Sequence, residues 1–304
     1  MFWYECLDEK AKEYLPDLKI ACDEPMSRHT SFHIGGPAKR MAFPASRAQA
    51  VLVAHFAREC GARTLVLGNG TNLLTADEGL DMLVINLSRS LTSIRRTGEC
   101  SVEADAGVSL ARLADFVRKD SLTGLEFAHG IPGSLGGAVC MNAGAYGGEM
   151  CQVVEEVTAL FPDGVRTLKG DKLKFGYRHS IFSDQADAVV LSAVLRLQCG
   201  DEQQIKAQME ELMRRRKASQ PLEYPSAGST FKRPAGQYAG TLIDQCGLKG
   251  RTVGGAQVSE KHAGFIINRG GATCADVTEL IRLVQETVLR ESGVQLEPEV
   301  RIIR

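Results

Sequence analysis

Eight residues between positions 124 and 148 are glycine, and Glu126 carries the one formal charge among them. Glycine loses more conformational freedom on folding than any other residue. A chain therefore keeps this many together only where its backbone must turn tightly or approach something closely. The densest part runs Gly130-Ile131-Pro132-Gly133-Ser134-Leu135-Gly136-Gly137-Ala138 and continues through Asn142-Ala143-Gly144-Ala145-Tyr146-Gly147. Pro132 fixes one turn, and the glycines bare successive N–H donors. Tight packing between two elements would use some of them. A loop of this length and composition favours contact with a ligand instead: amides around a pyrophosphate, bare backbone flat against a ring system.

A second glycine loop, Gly68-Asn69-Gly70-Thr71-Asn72-Leu73-Leu74, follows a short apolar run at 63–67 that reads as a strand. It lacks the third glycine of a dinucleotide fingerprint and the lysine of a P-loop, so alone it reads as a turn. Two such loops together suit a ligand with a diphosphate in the middle and a flat ring at one end, which is the shape of FAD. Cofactor contacts are expected from Gly68, Asn69, Gly70, Thr71, Asn72 and Leu73, and from Gly130, Ile131, Pro132, Gly133, Ser134, Gly136, Gly137 and Ala138.

A chain of 304 residues exceeds one small core and suits two or three domains. Helix and strand patterns alternate along it. Ser46 and Gln49 form a capping box, with Gly61 beyond the end of that helix. Leu110, Leu113, Ala114 and Val117 share a helical stripe, and 153–161, 165–168 and 188–197 read as strands. Ile205, Met209, Leu212 and Met213 mark a helix that stops before Pro221. Thr273 and Asp276 open the last helix and Gly293 ends it; 299–303 reads as a final strand. The expected organisation is a first domain at 1–200, in two parts of about 1–62 and 63–200, and a second at 201–304.

The formal net charge of -1 argues against nucleic acid or an anionic membrane as a partner. Nine Cys, an odd number without a CxxC pair, argue against a disulfide framework; six unclustered His argue against a metal site. Met1 to Tyr14 lacks a basic leader, and no stretch approaches the roughly 20 apolar residues of a membrane span, so the cytoplasm is the expected location.

Five motifs in fixed order carry a resemblance: the loop 68–74, the run 130–147, Tyr177-Arg178-His179-Ser180, Tyr224-Pro225-Ser226-Ala227-Gly228-Ser229-Thr230-Phe231-Lys232, and Leu296-Glu297-Pro298-Glu299-Val300-Arg301. With Thr30 to Pro37, the chain from about Arg28 onward resembles the UDP-N-acetylenolpyruvoylglucosamine reductase (MurB) family. Its length and the spacing from Arg178 to Ser229 resemble the shorter form of that family. The resemblance implies an α+β protein: a bipartite FAD-binding domain of the vanillyl-alcohol-oxidase/PCMH type and a smaller α+β substrate-binding domain. It implies a monomer that holds FAD non-covalently, takes hydride from NADPH and reduces the enolpyruvyl group of UDP-N-acetylglucosamine enolpyruvate to UDP-N-acetylmuramate.

That chemistry needs a hydride at one alkene carbon, a proton at the other, and stabilisation of the enolate-like charge between the two events. Arg178 suits the carboxylate or enolate through its charged fork. Ser229 is implied as proton donor, and Glu299 as the carboxyl that supports the enolic intermediate, with Glu297 the competing carboxylate. Asn142, Tyr146, Lys232, Gln257, His262 and Asn268 are the implied substrate contacts, and Arg233 beside Lys232 suits a phosphate. An FAD-dependent oxidase of the same fold, tethering its flavin through His129 or Cys140, is the alternative enzyme. A binding module without chemistry is the alternative outside enzymes.

Overall fold

The computed structural model describes residues 1–185 and 187–304. The chain divides into two compact units. The first contains Met1–Cys22, Arg40–Asn69 and Met82–Arg215; the second contains Asp23–Lys39, Gly70–Asp81 and Arg216–Arg304. The expected contiguous cut near 200 is therefore not where the chain divides. The C-terminal crossing lies at Arg215/Arg216, inside the Glu202–Ser219 helix, and two early segments join the second unit.

The first unit is organised by a five-stranded antiparallel sheet in the order Gly164–Lys169, Val154–Phe161, Val189–Arg196, Ser101–Asp105, Ile94–Gly98. Its buried face supplies Val102, Val157, Ala193 and Leu195. The Leu110–Lys119 helix adds Leu110, Leu113, Ala114 and Val117, all buried, and begins where Ser109 accepts a hydrogen bond from the Arg112 N–H. Burying a Leu or Val side chain contributes about 1.5–3 kcal/mol, so this stripe fixes the helix more firmly than its propensity does. The Thr64–Leu67 strand pairs in parallel with residues 83–86. The Arg47–Glu59 helix starts at the Ser46 cap, and Gly61 follows its end with φ +69°.

The second unit is built on the Cys274–Ser292 helix. Thr273 and Asp276 cap it reciprocally, and Gly293 closes it in the left-handed conformation. Val277, Leu280, Ile281, Val284 and Val288 point into a core with Phe32, Ile34, Leu74, Phe231 and Ile266. The Leu73–Thr75 strand pairs in parallel with the C-terminal Arg301–Ile303 strand, which explains the membership of 70–81. Residues 23–39 are held there by Phe32 and Ile34, whose carbonyls accept from Asn268 and Thr75. The final strand is shorter than the sequence suggests: Glu299 lies before it.

One expectation about cysteine is overturned. Cys6 and Cys60 form a disulfide across a separation of 54 residues, their Cα atoms 5.8 Å apart. The pair arises because the Trp3–Tyr14 and Arg47–Glu59 helices pack together, which spacing along the chain does not reveal. A closed loop of this length stabilises a fold by about 4 kcal/mol through the unfolded chain. Cys6→Ser is expected to lower the urea midpoint of the oxidised protein by a corresponding amount. Under excess dithiothreitol, mutant and wild type should unfold together.

Candidate active site

In the first unit the two glycine segments touch. A Cβ on Gly68 would lie 2.0 Å from Ser134 Oγ, so glycine is required there by proximity alone. The Asn69 side-chain amide donates to the Pro132 carbonyl at 3.3 Å. The long run is not a continuous loop. Leu135–Cys140 is a short helix, its Gly136 amide donating to the Ala106 carbonyl at 2.8 Å. Gly144–Ala145 and Gly148–Glu149 form a small hairpin. Gly136 thus serves packing, while Gly137 is exposed, with no atom nearer than Ser134 Oγ at 3.6 Å from where a Cβ would be.

Asn142 connects that hairpin to the arginine motif. Its Nδ2 donates to Glu149 Oε2 at 2.9 Å and to the Gly176 carbonyl at 3.0 Å; its Oδ1 accepts from the Cys151 N–H at 2.8 Å. At 1% exposure with both amide hydrogens committed, Asn142 is a structural pin.

Gly176 and His179 exchange backbone hydrogen bonds of 3.0 and 3.2 Å, closing a turn with Tyr177 and Arg178 at its centre. Arg178 has φ +53°. A turn with positive φ at its second central residue normally places Gly or Asn there; an L-residue with a large side chain pays about 1–2 kcal/mol. The guanidinium reaches the Gly144 carbonyl at 3.3 Å and lies 5.3 Å from the Tyr177 ring centroid. At the hairpin tip, Tyr146 and Gly147 have φ +55° and +88°, and the Tyr146 ring is exposed. Such strain clusters where function demands a particular side chain.

In the second unit, Gly70 has φ +62°, and a Cβ there would meet the His29 carbonyl at 2.0 Å. This glycine is explained by packing, and the segment from Gly70 to Leu73 leads straight into the paired Leu73–Thr75 strand. The Glu299 N–H donates to the Thr230 carbonyl at 2.8 Å, and the Lys232 N–H to the Glu297 carbonyl at 2.8 Å. Asn72 Nδ2 donates to the Glu299 carbonyl at 3.1 Å. Ser229 and Glu299 are therefore brought to adjacent segments. Ser229 Oγ donates to the Phe231 carbonyl at 3.2 Å, a long bond within its own loop. Lys232 pairs with Glu297, and the Arg233 guanidinium stacks 4.4 Å from the Tyr238 ring centroid.

The other implied substrate contacts have protein partners. Asn268 donates to the Phe32 carbonyl at 3.0 Å and accepts from Gly270 and Ala272, so it brackets a turn. Gln257 donates to the Gly250 carbonyl at 3.2 Å. His262 Nδ1 accepts from the Gly264 N–H at 3.1 Å, and burial holds its imidazole below the ordinary value.

The first unit fits a flavin on two observations. Bare, exposed backbone at Gly137 leaves room for a flat group, and His129 Nδ1, immediately before the long run, is buried without a hydrogen-bond partner. A ligand bearing polar atoms would satisfy it. The sequence signal for His129 was its adjacency to Gly130.

Residues 38–168 match the FAD binding domain family, and residues 220–303 match UDP-N-acetylenolpyruvoylglucosamine reductase, C-terminal domain. A UDP-N-acetylenolpyruvoylglucosamine reductase of Caldanaerobacter subterraneus subsp. tengcongensis is 49% identical over 300 residues, covering 98% of both chains. The chain belongs to the UDP-N-acetylenolpyruvoylglucosamine reductase family. Another reductase of this name, from Agathobacter rectalis, is 49% identical over 96% of both chains. The crystal structure of the reductase from Thermus caldophilus superposes with a TM-score of 0.81 at 36% identity, covering 94% of this chain and 99% of that one. This family membership bears out the α+β fold class with its FAD-binding domain. FAD is the cofactor, and Gly68 and Ser134, both expected among its contacts, lie against one another. Gly68→Ala should displace Ser134 and weaken FAD binding at least tenfold, about 1.4 kcal/mol, read as a lower ratio of 450 nm to 280 nm absorbance.

Proposed function

We infer that this chain is the FAD-dependent reductase that takes hydride from NADPH and reduces the enolpyruvyl group of UDP-N-acetylglucosamine enolpyruvate, giving UDP-N-acetylmuramate. FAD, when bound, supplies the relay of hydride between the two substrates. We assign cofactor binding to the first unit and the UDP-sugar to the second, which includes 23–39 and 70–81. A monomer working in the cytoplasm, where nucleotide-linked substrates and NADPH are held, completes the reading. In the structure, no helix of the described residues is long and apolar enough to cross a membrane.

The observation that carries the proposal is the backbone of Arg178. A turn position that favours Gly or Asn is occupied by a five-donor cation, half-buried and held by the Gly144 carbonyl. In the proposed reaction its fork holds the substrate carboxylate and stabilises the charge that grows as hydride reaches the neighbouring carbon. Ser229 gives its proton to the other carbon, and the Glu299 carboxyl supports the enolic intermediate. Tyr146, exposed at the hairpin tip, and Lys232 remain proposed substrate contacts.

Two variants test these roles. Arg178→Asn, which suits a positive φ, should keep the melting temperature and FAD content of the wild type while turnover falls about 10²–10³-fold. A drop in melting temperature matching the loss of activity would assign Arg178 to structure. Ser229→Ala should still bleach on anaerobic addition of NADPH. Reoxidation by the enolpyruvyl UDP-sugar should slow about 10²–10⁴-fold, the usual worth of a positioned acid. Equal damage to both half-reactions would remove Ser229 from the chemistry. Acid precipitation should release free FAD; colour retained in the pellet would favour the oxidase alternative.

A further inference from the structure

His179 follows Arg178 directly and forms the closing residue of its turn. Its ring is held from both sides. Nε2 lies 2.8 Å from Asp184 Oδ1, at the end of the short Ile181–Asp184 helix. Nδ1 lies 3.2 Å from the carbonyl of Lys174, a residue that itself has φ +48°. Carboxylate and carbonyl are both acceptors. A neutral imidazole carries one N–H and can satisfy one of them; only the imidazolium donates to both. Ser180 and Ser183 anchor the same stretch by donating to the Cys140 carbonyl at 2.6 and 2.7 Å. The far side of the turn is fixed through the Gly176 carbonyl by Asn142, and so by Glu149.

We propose that His179, as an imidazolium bridging Asp184 and the Lys174 carbonyl, is a positioning residue that holds the strained Arg178 turn in its active geometry. The inference rests on the reading of Arg178 given above. His179 touches neither substrate nor reacting atoms in this proposal; it acts through the backbone of its neighbour. The charged groups that face this ring and its turn are Asp184, Lys174 and Arg178, with Glu149 reaching it through Asn142. The hydrogen bond to Asp184, then that to Lys174, raises the imidazole above its ordinary value of 6.5. The sign follows: the brace is complete below that ordinary value and is lost as pH rises through the raised, folded-state value. Because the ring is about 40% exposed, the effect belongs to local turn population, not to global stability.

Stopped-flow measurement of the two half-reactions between pH 6 and 9 tests this. In wild type, reoxidation by the enolpyruvyl UDP-sugar should slow three- to tenfold towards alkaline pH, with its midpoint above 6.5, while flavin reduction by NADPH lacks that step. His179→Gln should show the slow rate already at pH 6 and no step, with FAD content unchanged. Asp184→Asn, which leaves the ring in place, should move the midpoint to lower pH. Wild-type rates and an unaltered profile in both variants would overturn the inference while leaving the role of Arg178 intact. Full reoxidation activity in Arg178→Asn would instead remove the reading on which it rests.

Discussion

The first unit depends on one buried amide. Asn142 commits both hydrogens and its oxygen, and each partner belongs to a different piece of the apparatus: the hairpin through Glu149, the segment after it through Cys151, and the arginine turn through Gly176. Removing such a group would leave a carbonyl, an N–H and a carboxylate without their partner at once. Each lost neutral bond costs roughly 1–3 kcal/mol where burial prevents water from replacing it. Asn142 also has φ +43°, a conformation its short polar side chain tolerates better than most. Asn is therefore suited to this place twice, by its backbone and by its three bonds. Four of the seven non-glycine residues with positive φ among the described residues, Asn142, Tyr146, Lys174 and Arg178, lie between 142 and 178. The pin and the turn it secures make that concentration sustainable.

The second unit brings Ser229 and Glu299, seventy residues apart, onto adjacent segments. The parallel pairing of Leu73–Thr75 with Arg301–Ile303 fixes the chain terminus, and Asn72 secures the Glu299 carbonyl just before it. The segment after Ser229 then pairs with 297–299 through two backbone bonds of 2.8 Å. Peptide pairing, not side-chain attraction, places Glu299 beside the Ser229 loop. Glu297, turned to Lys232, spends its charge on an ion pair.

Much of this was legible from the residues. Periodicity located the helices that Ser109, Thr273 and Gly293 delimit, because caps and apolar stripes act over one or two turns. The glycine density marked tight backbone turns for the same local reason. What escaped was set by distant partners. The long glycine run reads as a loop, yet it folds into a helix and a hairpin because Ala106 and Phe127 pack against Gly136 and Gly148. Nothing in the sequence shows that the Gly176 and Phe32 carbonyls accept from Asn142 and Asn268. The discontinuous units follow from one strand pairing between residues 73 and 301, and the Cys6–Cys60 bond from one helix contact.

A serine as the proposed proton donor is intelligible once the strengths of acid and base are compared. A hydroxyl is a far weaker acid than a carboxylic acid, and in the structure Ser229 Oγ has nothing stronger than the Phe231 carbonyl, 3.2 Å away, to receive its hydrogen. Before reduction there is no base in the proposed substrate that could take that proton. After hydride addition the neighbouring carbon carries carbanion character and becomes strongly basic, so a weak acid suffices. A stronger acid at this position would risk protonating or mispairing with the carboxylate that Arg178 is proposed to hold. A weak donor tied to its own backbone stays inert until the hydride has arrived. In the proposed reaction the order of the two transfers follows from the acidity of one residue, without any separate gate.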